Sequence, residues 1–232
     1  MKNLILIIIC VCFFAPTYAT DQIKLLSAPV DLDDKSSLQR GARNFINYCL
    51  NCHSASYMRY NQLKLIGLSE ETIKKDLLFT ADKIGDPMDI SMQIENAKVW
   101  FGAAPPNLSV TARSSGADWI YSYLRGFYRD SSREMGWNNT VYQNSAMPHI
   151  LWELQGEQFY DTTSNSLILQ KKGLLNPEEY DQFIGDITNF MVFVSEPNQQ
   201  KRKQIGYYVL AFLLLLLVLV INLKKEYWKN IK

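Results

Sequence analysis

The segment "NYCLNCHSASYM", residues 47–58, contains two cysteines and a histidine in the order C-x-x-C-H, at Cys49, Cys52 and His53. Cysteines at this spacing occur in zinc sites, in redox-active dithiols and in the attachment sites of c-type haem. Which of these applies depends on the compartment in which the segment lies and on the other ligands that the chain supplies.

The first nineteen residues, "MKNLILIIICVCFFAPTYA", have the pattern of a secretory signal cleaved after Ala19. A lysine precedes an apolar run of eleven residues, 4–14. As a helix this run would be about 16 Å long, well short of the ~30 Å hydrocarbon core of a membrane. Removal of the signal takes Cys10 and Cys12 with it, so the mature chain keeps only the two cysteines of the C-x-x-C-H segment.

A second apolar run, residues 205–223, is nineteen residues long and carries no charge. It would form a helix of about 28 Å, which predicts a transmembrane span. Lysines and arginines flank it on both sides, so the orientation follows from the signal and not from the positive-inside rule. The expected organisation is a signal (1–19), an exported periplasmic domain (20–204), a transmembrane helix in the inner membrane (205–223) and a cytoplasmic tail (224–232).

The exported part of the chain is acidic. The whole chain has a net charge of +1, but residues 20–200 hold 16 Lys and Arg against 22 Asp and Glu, a net charge of −6. This balance argues against nucleic acid and favours a basic protein partner, although acidic surfaces also serve solubility alone. The candidate acidic patches are Asp31, Asp33 and Asp34, and Glu70, Glu71 and Asp76.

Hydrophobic spacing predicts a mainly α-helical exported domain with long loops and no sheet. The predicted helices begin at Ser36 or Ser37, at Ser69, at residue 117 and, with a capping box, at Asn176. The third of them is expected to cover residues 117–130. Residues 131–176 are expected to form a long loop. The triplet N-N-T at 138–140 matches a glycosylation acceptor, which we discount because the signal is of bacterial type.

A c-type haem is the chemistry that the cysteines fit best. A zinc site needs four ligands, and His149 is the only further histidine. A thioredoxin-like dithiol starts a helix within a βαβ unit, whereas Cys49 and Cys52 follow one. A structural disulfide remains an alternative, because exported cysteines usually oxidise. One haem c, bound covalently through both thiols with His53 as an iron ligand, uses the whole motif.

The second iron ligand must come from elsewhere in the chain. Met147 is favoured because it lies in the long loop beside Pro148, and a thioether opposite an imidazole raises the reduction potential. His149 is its main competitor. The remaining candidates are Met58, Met88, Met92, Met135 and Met191.

Two further runs are more specific than the haem motif. They are "FGAAPPNLSV", followed by "RSSGADWIYSYLRGFYRD", and "AMPHILWELQG". Through them, the signal and the single anchor, the chain resembles the bacterial cytochrome c1 family, the haem subunits of the quinol:cytochrome c reductase (cytochrome bc1) complex. The resemblance implies a c-type cytochrome haem domain with one C-terminal transmembrane helix.

By position, the resemblance implies that Cys49 and Cys52 hold the haem and that His53 and Met147 are the proximal and distal ligands. His149 would then be a neighbour and not a ligand. Two further contacts with the haem are implied: Pro105 and Pro106 against its edge, and Arg113 near a propionate. Related sequences often carry a second arginine two positions after Arg113, where this chain has Ser115.

The implied function is the transfer of single electrons from the Rieske iron–sulfur protein to cytochrome c, in a complex with cytochrome b and in contact with membrane lipid. Such a subunit has no substrate site of its own. Three alternatives remain: a membrane-anchored monohaem cytochrome that serves a terminal oxidase, a tethered thiol oxidoreductase, and a scaffold with a disulfide.

Overall fold

The computed structural model of the protein describes residues 24–90 and 92–230. The predicted signal, residues 1–19, lies outside the described residues. The α-helices are α1 (Lys35–Tyr48), α2 (Glu70–Asp76), α3 (Ile94–Phe101), α4 (Thr111–Ser114), α5 (Ala117–Arg125), α6 (Trp152–Gln155), α7 (Pro177–Ser195) and α8 (Gln199–Tyr227), and a 3-10 helix covers Tyr60–Ile66. The strands are β1 (Ala55–Arg59), β2 (Pro87–Met88), β3 (Phe127–Arg129), β4 (Trp137–Asn139), β5 (Gly156–Asp161) and β6 (Ser166–Lys172). The prediction of a mainly α-helical domain followed by one long C-terminal helix is confirmed.

The core forms where α1 packs against α7. The rings of Phe45 and Phe190 lie 5.6 Å apart between the two helices. Gly41 permits this close packing, because a Cβ at its position would lie 2.0 Å from the backbone oxygen of Asp186. Beside this contact, Arg40 forms a two-pronged ion pair with the carboxylate of Asp186, with N–O distances of 2.6 and 2.9 Å. The helix that ends at the C-x-x-C-H segment is therefore held firmly on the rest of the domain.

The helix starts follow the predicted capping residues closely. Ser69 caps α2, and its side chain accepts from the backbone N–H of Thr72. Asn176 and Glu179 form the predicted capping box of α7. For α1 the cap is Asp34 and not a serine, since its carboxylate accepts from the N–H of Ser37 at 2.9 Å.

The expectation that the domain has no sheet is wrong, because β1–β2, β3–β4 and β5–β6 form three antiparallel pairs. The strands are short and belong to two-stranded sheets, so the sequence has no long alternation of apolar and polar residues. The predicted helix over 117–130 ends at Arg125, and β3 takes up Phe127–Arg129. Residues 131–176 contain β4, α6, β5 and β6, and the irregular part is a shorter segment after β4.

The segment before α1 is tied to the helical core. The buried amide of Asn189, on α7, accepts from the N–H of Asp31 at 3.1 Å and donates to the carbonyl of Asp31 at 2.7 Å. The same amide nitrogen donates to the hydroxyl of Ser37 at 3.1 Å. Gly185 leaves room for the ring of Pro29, which would lie 2.8 Å from a Cβ there. The segment before α1 therefore packs against α7 through Pro29 and Asp31.

The C-terminal helix α8 is 29 residues long, about 43 Å, and is apolar enough to cross a membrane. None of its apolar window is buried against the domain, as expected of a helix that faces lipid. It extends beyond the predicted span of 205–223 at both ends. At its start, the guanidinium of Arg202 donates to Glu196, and the amide of Gln200 donates to the carboxylate of Asp33 at 2.7 Å. The anchor is thus joined to the domain by polar contacts.

Candidate functional site

The C-x-x-C-H segment forms a tight turn at the end of α1. The N–H of Cys49 donates to the carbonyl of Phe45 at 2.8 Å and ends the helix. The N–H groups of Cys52 and His53 then both donate to the carbonyl of Cys49, at 3.1 and 2.8 Å. Cys49 is buried and Cys52 partly exposed, and both are free thiols. One turn therefore holds both thiols and the imidazole together.

The imidazole of His53 is only 8 % exposed, and it is oriented by a hydrogen bond. Its Nδ1 donates to the carbonyl oxygen of Pro106 at 2.8 Å, since a carbonyl can only accept. Burial has the larger effect on His53 and lowers its pKa, whereas the hydrogen bond to Pro106 raises it by less. The ring is therefore neutral, with a lone pair on Nε2, and Nε2 makes no hydrogen bond with the described residues. This is the state in which a histidine binds a metal ion.

The segment that supplies the Pro106 carbonyl is fixed beside β1. The N–H of Leu108 donates to the carbonyl of Ser54 at 2.8 Å. The buried hydroxyl of Ser109 accepts from the N–H of Tyr57 at 3.0 Å and donates to the side chain of Asn107 at 2.6 Å. The Pro-Pro-x-Leu-Ser run, residues 105–109, thus orients the ring of His53 through the carbonyl of Pro106.

Met147 lies in the irregular segment between β4 and α6, where it is partly buried. Its backbone N–H donates to the hydroxyl of Ser145 at 3.3 Å, and that hydroxyl is hydrogen-bonded to the phenol of Tyr123 at 2.7 Å. A loop that carries a thioether is therefore tied to α5 within two residues of the methionine.

His149, the competing ligand, is enclosed among aromatic rings. It is 2 % exposed, stacks on Phe127 with centroids 4.8 Å apart and meets Trp137 edge-on at 4.9 Å. Burial lowers the pKa of His149 to about 4. Its Nε2 and the side-chain oxygen of Gln155 are both buried without a hydrogen-bond partner among the described residues.

The other candidate methionines lie in different surroundings. Met58, Met88 and Met191 belong to the hydrophobic core. Met135 is 41 % exposed, in the turn before β4. Met92 lies in the loop before α3 and is partly buried, as Met147 is. Met147 differs from it in its polar tether, the hydrogen bond from its backbone N–H to Ser145.

The predicted propionate contact, Arg113, lies on the surface in α4. Its side chain is 62 % exposed, and its nearest anion is Glu196 at 3.8 Å.

On α5, the buried Tyr121 accepts a hydrogen bond from Arg125 at 2.9 Å.

Four residues around the loop were not predicted as part of the site: Tyr123, Asn138, Asn139 and Ser145. Asn138 and Asn139 drew attention only as a glycosylation triplet. The signal that could have found them is the concentration of amide side chains next to a ligand-bearing loop, because Asn side chains commonly bind nearby backbone groups.

The donor set fits a covalently bound haem. Two free thiols within one turn match the two attachment points of c-type haem, and a neutral imidazole with a free Nε2 matches an iron ligand. Burial raises the pKa of the Cys49 thiol to about 12 and also raises that of Cys52. Reactive dithiols need lowered pKa values, so this pair is poorly suited to thiol–disulfide exchange.

Comparison with known families gives a match over almost the whole described chain. The model described as "Cytochrome C1 family" matches residues 26–231.

Three curated relatives illustrate the similarity. A protein of Nitrosomonas europaea named "Ammonia monooxygenase gamma subunit" is 46% identical over 231 residues, which cover 100% of this chain and 98% of that protein. The "Cytochrome c1" of Allochromatium vinosum is 44% identical over 218 residues, 89% of each chain. The "Cytochrome c1" of Rhodospirillum rubrum is 29% identical over 233 residues, 86% of this chain and 83% of that one.

Proposed function

Because the chain belongs to the cytochrome c1 family, the electron-transfer subunit of the cytochrome bc1 complex, we propose that it binds one haem covalently through Cys49 and Cys52. His53 and Met147 are the proposed ligands of its iron. The observation that carries the proposal is the hydrogen bond from Nδ1 of His53 to the carbonyl of Pro106, which leaves Nε2 of the buried ring free for a metal ion.

The haem, when bound, supplies an iron that changes valence by one electron. The residues of the chain hold and tune it. Burial favours the neutral form of His53, and the Pro106 carbonyl fixes its tautomer and makes its Nε2 a better donor. Met147 supports a raised reduction potential, since a thioether stabilises the reduced iron. The enclosure of His149 between Phe127 and Trp137 supports Met147 as the second ligand.

Two further contacts with the haem are proposed. Pro106 is exposed next to the ring of His53, so its own ring is available to the haem edge. Arg113 is proposed to lie near a propionate; its exposed guanidinium keeps hydrogen-bond donors beyond its contact with Glu196 at 3.8 Å. Ser115 cannot replace the second arginine of related sequences as a cation.

The proposed partners are the cytochrome b and Rieske iron–sulfur subunits and, as the electron acceptor, a cytochrome c. The charge of −6 on residues 20–200 would steer a basic acceptor and raise the rate of encounter. Not every predicted acid is free for this purpose. Lys64 and Lys74 bind Glu70 and lower its pKa to about 2. Asp34 caps α1 and Asp33 binds Gln200, so the steering groups would be the less engaged acids, such as Glu71 and Asp76.

The protein is anchored in a membrane by α8. We propose that this is the inner membrane and that residues 20–204 lie on its periplasmic side, because residues 1–19 have the pattern of an export signal. Residues 205–223 would cross the membrane, in contact with lipid, and residues 224–232 would remain in the cytoplasm.

The experiment is a haem stain of the full-length protein on a denaturing gel, next to a Cys49→Ala/Cys52→Ala double variant. Covalent haem predicts a stained band that survives acid–acetone extraction and disappears in the double variant. Solubilisation of the membrane in mild detergent should co-purify a cytochrome b. An unstained wild-type band would overturn the haem proposal, and a stained band without cytochrome b would favour an anchored cytochrome that serves a terminal oxidase.

A further inference from the structure

Asn139, the last residue of β4, ties the start of the segment 140–148, which we name the methionine loop, to α5. It is fully buried, and its side-chain oxygen accepts from the N–H groups of Val141 and Tyr142 at 2.8 and 3.2 Å. Its side-chain nitrogen donates to the carbonyl of Tyr123 at 2.8 Å. The direction in which the chain leaves β4 is thus set by one buried amide.

Asn138 fixes the middle of the same loop. Its side-chain oxygen accepts from the N–H of Asn144 at 2.8 Å, and its nitrogen donates to the carboxylate of Asp130 at 2.8 Å. Asn144 lies in a turn and has a φ of 60°, in the left-handed region. The two asparagines of the N-N-T triplet therefore bind the backbone of the loop at two places, Val141–Tyr142 and Asn144.

Tyr123 holds the loop a second time, next to Met147. Its hydroxyl is hydrogen-bonded to the hydroxyl of the buried Ser145 at 2.7 Å, and Ser145 accepts from the N–H of Met147 at 3.3 Å. Its ring stacks on Trp119 at 5.0 Å. One tyrosine on α5 thus carries both the Asn139 contact, through its carbonyl, and the Ser145 contact, through its phenol.

The far end of the loop is held by packing. His149 stacks on Phe127 of β3 and meets Trp137 of β4. Both ends of the methionine loop are therefore fixed to the β3–β4 hairpin. An irregular segment loses conformational freedom when it is ordered, and contacts that order it beforehand strengthen the binding that follows.

We propose that Asn139 and Tyr123 are positioning residues that hold the methionine loop so that the Met147 thioether is presented to the haem iron. This inference rests on the proposed function, because it takes Met147 as the iron ligand. The residues would act through the backbone of the loop, which they hold by hydrogen bonds.

The test uses the full-length haem protein in detergent and imidazole as a competing iron ligand. The variants are Tyr123→Phe, which keeps the ring and removes only the hydroxyl, and Asn139→Ala. Tyr180→Phe is the matched control, because its buried hydroxyl donates to the carbonyl of Leu124 at 3.1 Å, a bond that involves no residue of the loop. Met147→Ala tests the ligand itself. The readouts are the imidazole affinity from spectral titration and the intensity of the methionine–iron charge-transfer band.

Tyr123→Phe is expected to weaken the band and to bind imidazole about fivefold more tightly, as the loss of one neutral hydrogen bond from the ligated state predicts. Asn139→Ala is expected to have a larger effect, since it removes three hydrogen bonds. Tyr180→Phe should match the wild type in both readouts.

The inference is overturned if Met147→Ala abolishes the band while Tyr123→Phe binds imidazole as the wild type does. It is also overturned if Tyr180→Phe raises the affinity as much as Tyr123→Phe, since the effect would then be general loosening. If Met147→Ala keeps the band, the ligand assignment itself is wrong. If Asn139→Ala does not fold, the comparison of Tyr123→Phe with Tyr180→Phe still tests whether the hold on the methionine loop positions Met147.

Discussion

Nδ1 of His53 donates a hydrogen bond to the carbonyl oxygen of Pro106 at 2.8 Å, although 53 positions separate the two residues in the chain. The bond sets the tautomer, the orientation and the donor strength of the imidazole that follows the two cysteines. It joins two separate runs of the sequence, the C-x-x-C-H motif and the Pro-Pro-x-Leu-Ser motif, in one site.

The Pro106 segment should depend on Ser109. Ser109→Ala removes the acceptor of the Tyr57 N–H and the donor to Asn107, so we expect the free energy of unfolding in detergent to fall by about 1–2 kcal/mol. Denaturant titration measures this change. Ser114→Ala is the control, because its exposed hydroxyl donates only to the carbonyl of Thr111, and its effect should stay below about 0.5 kcal/mol. Equal effects of the two variants would contradict the role of Ser109.

The ion pair between α1 and α7 should matter more than an ordinary surface pair. Arg40→Ala leaves the buried carboxylate of Asp186 without its cation, so we expect a loss of about 2 kcal/mol in unfolding free energy. This expected loss of unfolding free energy is smaller than for a fully buried ion pair, because the Arg40 side chain is 43 % exposed. Arg43→Ala, an exposed arginine on the same helix, should change the unfolding free energy little. A similar loss in both variants would rule out a specific contribution of the pair.

The domain should lose stability at alkaline pH through Tyr180. Burial raises the pKa of Tyr180 above its ordinary value, whereas a tyrosine in the unfolded chain ionises near pH ~10. Above that pH the unfolded state releases a proton that the folded state keeps, so the unfolding free energy falls by about 1.4 kcal/mol per pH unit from this group.

Tyr180→Phe tests this pH dependence. The variant should be less stable by about 1 kcal/mol near neutral pH, because the carbonyl of Leu124 loses its partner, but its stability should decline less steeply above pH ~10. Tyr57→Phe, at a residue that is 75% exposed, should leave the slope unchanged. Parallel pH profiles of wild type and Tyr180→Phe would show that Tyr180 does not cause the decline.

Much of the fold could be predicted from local signals. The capping box at Asn176 and Glu179 and the cap at Ser69 lie within a few residues of the helices that they start, and both are observed. The short hairpins were missed because their partners are set by tertiary packing and not by alternation. The helix at 117 ends at Arg125, and the carbonyl of the next residue, Gly126, accepts from the N–H of Thr140 at 2.9 Å instead of continuing the helix. A Cβ at Gly126 would come within 2.7 Å of the Thr140 hydroxyl.

The candidate site also has a part that could be predicted from the sequence and a part that could not. The thiols and the imidazole follow each other in the chain, so their proximity could be predicted from spacing. The contacts that orient them could not, since Pro106 reaches His53 across 53 positions and Tyr123 reaches Ser145 across 22. Asn138 and Asn139 matched a modification triplet, and only the fold reveals that their amides bind the backbone of the methionine loop.

The central claim is that the protein carries a covalent haem with His53 and Met147 on its iron. The most direct measurement is the oxidised and reduced spectrum of the full-length protein before and after acid–acetone extraction, with Met147→Ala and His149→Phe alongside. His149→Phe keeps an aromatic ring between Phe127 and Trp137 but offers no nitrogen. The account predicts that the colour stays with the protein, that Met147→Ala loses the methionine–iron band and lowers the reduction potential, and that His149→Phe keeps both. Colour that extracts, or a band that is lost only in His149→Phe, would contradict it.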